Sequence, residues 1–174
     1  DTMAAGRDDS RLMQIVLDIR GRVQAHPNPA AWLDEQEKAF TLEGAADPAD
    51  TPWGRLLLDD AARQGAYWRG KIAVALELCP CDANLDANYG LSLSATLAGL
   101  DAFVKGAEEG WDAARAALPI PFPTAGRKKI VDCPDAAEEV KRVRAACKKR
   151  MDKLSSWFED SGADLLEDLR AVHP

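Results

Sequence analysis

Residues 140–158 carry apolar side chains at spacings of three and four, which is the repeat of one face of an α-helix. This apolar stripe consists of Val140, Val143, Cys147, Met151, Leu154 and Phe158. Lysine and arginine occupy the opposite face of the same stretch. Because such a helix is stable in a protein chiefly when its stripe is covered, the pattern predicts a core built from other helices around it.

A proline-rich and then basic segment precedes this helix. The three prolines in residues 119–123 fix their own φ angles and offer no amide donor, so they predict an extended loop. Three basic residues come next: Arg127, Lys128 and Lys129. Residues 127–153 contain ten Lys and Arg against five Asp and Glu, a net charge of +5 in a chain whose total is −7. An otherwise acidic protein therefore concentrates its positive charge in one window.

This basic window has two interpretations. Charged helix faces are usually only solvated surface. The alternative is a strip that contacts phosphates, since Lys and Arg supply the sequence-independent part of DNA binding. On that second interpretation the candidate DNA-binding residues are Arg127, Lys128, Lys129, Lys141, Lys148 and Lys149.

The rest of the sequence also predicts helices, because no stretch alternates between apolar and polar residues as a strand would. We expect an all-α fold of about seven helices in a single domain, residues 1–174, with residues 1–7 as a flexible terminus. The first helix follows Asp8-Asp9-Ser10, the second follows Asn28-Pro29, the third runs from Thr51-Pro52 to about Leu78, and the others cover about 89–105, 108–118, 134–158 and 163–172. Residues 81–88 are predicted to form a loop.

Burial predictions accompany these helices. The first helix is expected to bury a stripe formed by Leu12, Ile15, Val16, Ile19 and Val23. Trp32 and Trp53, each just after a helix start, are expected to be buried anchors. Gly65 and Gly70 weaken the third helix and predict either a close helix crossing or a break.

Catalytic motifs are missing from these 174 residues. We find neither the GxxxxGK[ST] loop that cradles phosphates, nor a nucleophile elbow, nor an HExxH pair. The two histidines, His26 and His173, stand at opposite ends of the sequence and belong to no cluster. We therefore assign no catalytic residue to this chain.

The four cysteines do not match a metal-binding pattern. Cys79 and Cys81 are separated by one residue, and no second close pair follows, whereas zinc ribbons use two such pairs. We predict no metal and no cofactor, with reduced thiols as the default. No signal peptide and no apolar run of about 20 residues is visible, so we expect a cytoplasmic protein without membrane partners. A chain that begins at Asp1 and ends at Pro174 is expected to be cut from a longer one.

Several short segments, in order, resemble one family. Residues 26–33, HPNPAAWL, resemble the S/A-H-P-x-P-x-x-W-L segment of the helicase–nucleases of the AddA family, within the UvrD-like superfamily 1 helicases. Residues 51–55, TPWGR, are similar to the start of the next helix in that family. The PFP of residues 121–123 with the RKK of 127–129 resembles its loop before a long charged helix, and LLEDL at 165–169 resembles its closing segment.

The resemblance implies a fold and a function beyond what the residues themselves indicate. It implies the 1B accessory subdomain inserted in the first motor domain of a helicase that uses ATP and magnesium. The parent enzyme would unwind and degrade duplex DNA ends in recombinational repair, with its ATPase and nuclease sites outside these residues. Its implied partners are duplex DNA ends, the remainder of the helicase chain and a second helicase–nuclease subunit.

Three functions therefore stay open from the sequence. The first is a DNA-contacting accessory domain, which the basic window favours. The second is a protein-interaction module that docks on the motor or on the partner subunit, for which the five tryptophans could supply an aromatic interface. The third, with least support, is a metal-binding regulator built on the four cysteines.

Overall fold

The computed structural model describes residues 9–39 and 42–172, and the regular structure within these ranges is entirely helical. Seven α-helices are seen there: α1 Asp9–Ala25, α2 Pro29–Ala39, α3 Pro52–Leu78, α4 Ala83–Glu109, α5 Trp111–Ala116, α6 Pro134–Ser155 and α7 Gly162–Val172. The all-α prediction is confirmed. The predicted terminus at residues 1–7 and the cap at Asp8 lie outside the described residues. None of the helices in the described ranges combines the length and apolar character that a membrane crossing requires.

The helices fall into two units, and the first contains α1 and α2. The predicted start of α2 is confirmed, because the Ala31 amide donates to Asn28 Oδ1 at 3.2 Å. The predicted buried stripe of α1 is wrong: Ile15, Val16 and Ile19 are each close to half exposed. The side chain of Leu12, the first member of that stripe, lies outside the described part of the chain. Among residues 9–39, α1 packs on the 11-residue α2, which is too short to cover its apolar face.

The second unit, residues 42–172, is organised around the pair α3 and α4, which are 27 residues each. A 3₁₀ turn at Cys79–Cys81 connects them, so the two helices run antiparallel. Gly65 lies at their close crossing, because a Cβ there would come within 2.9 Å of Val104 Cγ2. A Cβ on Gly70 would have nothing within 4 Å. The close-crossing prediction is therefore confirmed at Gly65 alone.

The start of α3 is as predicted, and the start of α4 is not. Thr51 Oγ1 accepts from the Gly54 amide at 3.0 Å, which caps α3. The predicted loop at residues 81–88 is wrong, because α4 already begins at Ala83. Its N-cap is Asp82, whose Oδ1 accepts from the amides of Asn84 at 2.6 Å and Leu85 at 3.0 Å. The fifth helix is also shorter than predicted, since Gly110 separates it from α4.

The core of this unit forms where α6 packs against α3 and α4. The burial of the predicted stripe is confirmed, because all six side chains from Val140 to Phe158 are at most 6% exposed. The predicted end of the helix near residue 158 is wrong: α6 ends at Ser155, and Phe158 lies beyond it. Trp111 is the tryptophan that is buried with them, and its Nε1 donates to the Asp160 carbonyl at 3.1 Å. Trp32 and Trp53 are only half-buried, so the prediction that they are buried anchors is wrong.

Candidate nucleic-acid interface

The segment between α5 and α6 has no regular secondary structure and lies against one edge of α4. It runs antiparallel to α4, as its hydrogen bonds show. Thr96 Oγ1 donates to the Pro121 carbonyl at 2.7 Å, and Ser92 Oγ donates to the Pro123 carbonyl at 2.7 Å. The predicted extended loop at the prolines is confirmed. We call the side chains that hold this segment, on α4 and its N-cap, the polar edge: Asp82, Asn84, Asn88, Ser92 and Thr96.

The polar edge holds the basic part of the segment most tightly at Asn88. Its Nδ2 donates to the Lys128 carbonyl at 2.8 Å, and its Oδ1 accepts from the Lys128 amide at 3.0 Å. Asn84 Nδ2 donates to the Lys129 carbonyl at 2.8 Å. We call residues 126–130 the basic loop. Its backbone is thus fixed by two amide side chains of α4, while its three cationic side chains are exposed.

Asp82 anchors the end of the same segment. Its Oδ2 accepts from the amides of Val131 and Asp132, both at 3.0 Å, while its Oδ1 caps α4. Hydrogen bonds from the Val131 and Asp132 amides, together with those from the cap, lower the pKa of Asp82 to about 2, because they favour the charged carboxylate. One carboxylate therefore joins the start of α4 to the chain that enters α6.

A glycine is required where the basic loop touches α4. A Cβ on Gly126 would lie 2.3 Å from Asn88 Oδ1 and 3.0 Å from Asn88 Cα. The Gly126 amide donates to the Asn88 carbonyl at 2.9 Å, which draws the two backbones together. Any larger residue at position 126 would push the loop away from the helix.

The basic loop, α4 and α6 enclose a cavity of about 370 Å³. Arg127, Lys128 and Lys129 line it from the loop, and Tyr89 lines it from α4. The first turns of α6 contribute Glu138 and Lys141. Four of the lining residues are cationic and one is a carboxylate, so the residues around the cavity sum to a net charge of +3. The structure therefore gathers four of the six predicted DNA-binding residues around one concave surface.

Ion pairs reduce the free charge at two of the predicted residues. Lys141 Nζ lies 2.7 Å from Glu138 Oε1, and this hydrogen bond raises the pKa of Lys141. Lys148 Nζ lies 2.7 Å from Asp152 Oδ2. In the part of the chain that the structure describes, no carboxylate forms an ion pair with Arg127, Lys128, Lys129 or Lys149.

Lys148 and Lys149 lie outside the cavity. Lys148 is seven residues after Lys141, so it faces the same side of α6 about 10 Å further along the axis. There its Nζ stands 5.9 Å from the centre of the Phe122 ring. Lys149 is turned by about 100° from Lys148 and is exposed. The structure thus places Lys148 on an extension of the cationic surface and turns Lys149 away from it.

Other arginines of the basic window serve the fold. Arg144 Nη2 donates to the carbonyls of Phe122 at 3.1 Å and Pro123 at 2.7 Å. Arg150 Nε donates to Gln64 Oε1 at 2.7 Å, which joins α6 to α3. The charge count of the window therefore overstates the charge available to a ligand.

The four cysteines separate into two environments. Cys79 and Cys147 are buried in the core, and burial raises the pKa of Cys147 to about 12. Cys133 Sγ donates to the Cys81 carbonyl at 3.2 Å, and its contact with the Cys81 side chain raises the pKa of Cys133 to about 11. Among residues 9–39 and 42–172, no three His, Cys, Asp or Glu side chains stand together as a metal site would require.

Sequence reasoning missed the role of Tyr89 and the polar edge of α4. The helical pattern puts Tyr89 at the start of the fourth helix, and nothing in it indicates that this residue lines a cavity with the basic loop. The polar edge does leave a signal: Asn84, Asn88, Ser92 and Thr96 recur every four residues, which is one face of a helix. A polar stripe facing the protein rather than solvent indicates that it bonds another segment's backbone.

Comparison with known proteins finds relatives that align with nearly the whole chain. No family model matches the chain, and no solved structure matches it. The A subunit of the ATP-dependent helicase/nuclease of Acetivibrio thermocellus is 29% identical over 97% of this chain and 14% of its own length. Proteins of the same name from Bacillus cereus and Bacillus thuringiensis are 28% identical over 100% of this chain.

The chain spans about 14% of the length of these relatives. The alignments include the four segments that carried the resemblance, because they cover almost every residue. The resemblance drawn from the sequence is thus confirmed: this chain is similar, over nearly its whole length, to one segment of the A subunits of ATP-dependent helicase/nucleases.

Proposed function

We propose that this chain is a DNA-contacting accessory domain, of the 1B kind, of an ATP-dependent helicase/nuclease that acts in double-strand break repair by recombination. The relatives' name supplies the helicase/nuclease context. The observation that carries the DNA contact is the gathering of Arg127, Lys128, Lys129 and Lys141 around one cavity in a chain of net charge −7. Phosphates are the ligand that such a surface attracts.

The basic loop is suited to this role because its backbone is fixed before any ligand arrives. Asn88 already hydrogen-bonds the amide and carbonyl of Lys128, and Asn84 hydrogen-bonds the carbonyl of Lys129. DNA binding would therefore order only side chains. Ordering a flexible segment on binding costs conformational entropy and weakens affinity, so a segment that is already ordered binds more tightly. A single loop and one helix face meet few phosphates, so we expect a dissociation constant in the non-specific range of roughly 10⁻⁴ to 10⁻⁶ M.

Titration of duplex DNA into the purified chain, at two salt concentrations, tests the proposal. The test variant reverses four cations to glutamate: Lys128, Lys129, Lys148 and Lys149. It should fold normally, since these side chains are exposed, and it should bind more weakly with a flatter dependence on salt. Each phosphate contact that is lost should lower the slope of log K against log salt by about 0.9.

A matched control changes the same net charge elsewhere. Four exposed cations outside the basic window can be reversed in the same way: Arg20, Lys38, Arg63 and Lys105. This variant should retain more of the wild-type affinity than the test variant does. If both variants lose affinity equally, only net charge matters and the basic loop is a solvated face. If the wild type binds no duplex at low salt, the DNA-contacting role is wrong.

An alternative function, docking on the rest of a helicase chain or on its partner subunit, is favoured by α1. Met13, Ile15, Val16, Leu17 and Ile19 are all between 48% and 61% exposed, which is unusual for a run of large apolar residues. The chain spans only 14% of the relatives' length, so a longer parent chain could supply the covering surface. Increased protection of α1 amides from hydrogen exchange in the parent enzyme, without any effect of DNA, would support docking.

ATP, which the relatives' name implies, does not fit the backbone of this loop as it fits a phosphate-cradling loop. Phosphate-cradling loops present free backbone amides to the ligand. Here the amides of Lys128, Val131 and Asp132 already donate to the polar edge of α4. We therefore place ATP and magnesium in other parts of the parent enzyme and derive no step through them.

A further inference from the structure

We infer that the cavity beside the basic loop receives one unstacked nucleotide of single-stranded DNA, with the base against Tyr89 and the phosphates on the surrounding cations. This inference rests on the proposed DNA contact and names the form of DNA that the site prefers. Its basis is the shape of the site: a duplex offers phosphates from a convex surface, whereas a concave site accepts a group that projects from the strand. Only an unpaired nucleotide projects a base in this way.

The size and lining of the cavity agree with such a ligand. Its volume of about 370 Å³ lies at the small end of the range of ligand pockets in proteins. One part of its wall is apolar or aromatic, formed by Tyr89, Ile130 and Ala137, and the other part is cationic. A nucleotide divides in the same manner, into a flat ring and a charged phosphate. A phosphate alone would make no favourable contact with the aromatic part of the wall, whereas a base would.

Tyr89 is held in a position to act as the stacking surface. It is half-buried and packs against the hydrophobic core, so its ring costs little further entropy to fix. It follows Asn88, which is tied to the Lys128 backbone by two hydrogen bonds. Tyr89 and Lys141 line the same cavity. The same link holds the backbone of the basic loop beside the turn of α4 that carries Tyr89.

Glu138 does not prevent this use of the cavity. A carboxylate would repel a phosphate, but Glu138 Oε1 lies 2.7 Å from Lys141 Nζ, so this pair adds no net negative charge to the wall. Arg127, Lys128 and Lys129 remain to contact phosphates on the loop side. We expect the phosphates of a bound strand to follow the loop rather than the first turn of α6.

Fluorescence anisotropy of the purified chain with four labelled DNAs tests the inference. The DNAs are a blunt duplex, the same duplex with a short unpaired tail, the same tail with abasic sites in place of bases, and the tail strand alone. Stacking of one base is worth about a 5- to 150-fold gain in affinity. We expect the tailed duplex and the single strand to bind more tightly than the blunt duplex, and the abasic tail to lose most of that preference.

Two variants at Tyr89 complete the experiment. Tyr89→Ala should reduce the ratio of tailed to blunt affinity to that of the abasic tail, and Tyr89→Phe should restore it, because both rings stack. If the alanine variant fails to fold, the abasic ligand and the phenylalanine variant still decide the question. Equal binding of blunt, tailed and abasic DNA would overturn the nucleotide site while leaving the DNA contact intact. Absence of binding to all four DNAs would overturn both.

Discussion

Asn88→Ala is the substitution that best tests how the structure holds the basic loop. Asn88 is 6% exposed and makes two side-chain hydrogen bonds, both to the Lys128 backbone, at 2.8 Å and 3.0 Å. Alanine removes both bonds without adding bulk. The Gly126 amide still donates to the residue 88 carbonyl at 2.9 Å, so the loop keeps one link to α4. We therefore expect a looser basic loop on an intact helical core.

The expected loss of stability follows from counting these interactions. Each hydrogen bond contributes about 0.5–1.5 kcal/mol net, so the two together contribute about 1–3 kcal/mol. Alanine is the better helix former, which returns roughly 0.5 kcal/mol inside α4. The free energy of unfolding should therefore fall by about 0.5–2.5 kcal/mol. Asn84→Ala is the matched control, because Asn84 makes one such bond, to Lys129 at 2.8 Å, and should lose less.

Urea denaturation followed by far-UV circular dichroism measures this change, and hydrogen exchange locates it. The Lys128 amide should exchange faster in Asn88→Ala, because its acceptor is gone, while amides in the interior of α4 keep their protection. Loss of protection throughout α4 would mean that the asparagine supports the helix rather than the loop. Unchanged stability together with an unchanged Lys128 amide would refute the proposed role of the polar edge.

Two further predictions concern pH and catalysis. Because the pKa of Asp82 is about 2 in the folded chain and 3.8 ordinarily, its contribution to stability is complete above about pH 4 and disappears as the pH falls towards 2. Asp82→Asn, which cannot titrate, should show a smaller change in urea midpoint than wild type across that window. Equal changes in the two proteins would show that Asp82 is not the group responsible for the loss of stability. The purified chain should not hydrolyse ATP with magnesium, since it has no phosphate-cradling loop, and a measurable phosphate release absent from a mock preparation would contradict this.

The sequence predicted helices correctly where their local capping signals and their burial indicate the same structure. Thr51-Pro52 predicted the start of α3, because a capping hydroxyl and a fixed φ act within one turn. The stripe of α6 predicted its buried face, because that helix lies against both α3 and α4. In each case the residues that form the element also determine its position.

The sequence failed to predict secondary structure and burial where contacts with residues far away in the chain determine them. Asp82, Asn84 and Asn88 are residue types typical of loops, and they favour a loop over residues 81–88. In the structure Asp82 caps α4, and the two asparagines use their amides on the basic loop some 40 residues away. The α1 stripe failed for a related reason: periodicity identifies residues that share a face, whereas burial also requires a neighbour large enough to cover them.

The charged residues of the candidate site could be predicted from the sequence, whereas the cavity that they surround could not. Pairing of Lys141 with Glu138 and of Lys148 with Asp152 follows from helical spacings of three and four, so the sequence could have indicated which cations are partly neutralised. The cavity could not be predicted, since it exists only because the basic loop is tied across α4 beside Tyr89. Gly126 permits that approach through the absence of a side chain.

The polar edge of α4 therefore couples the stability of the second unit to the proposed DNA-binding surface. Asn88 bonds to the backbone of the basic loop and contributes no charge, yet it holds the Lys128 backbone against α4. A substitution there should weaken DNA binding while every cation remains in place. Loss of binding on reversing a cation is thus a test of charge only when the Lys128 amide keeps its protection, because a displaced loop would weaken binding in the same way.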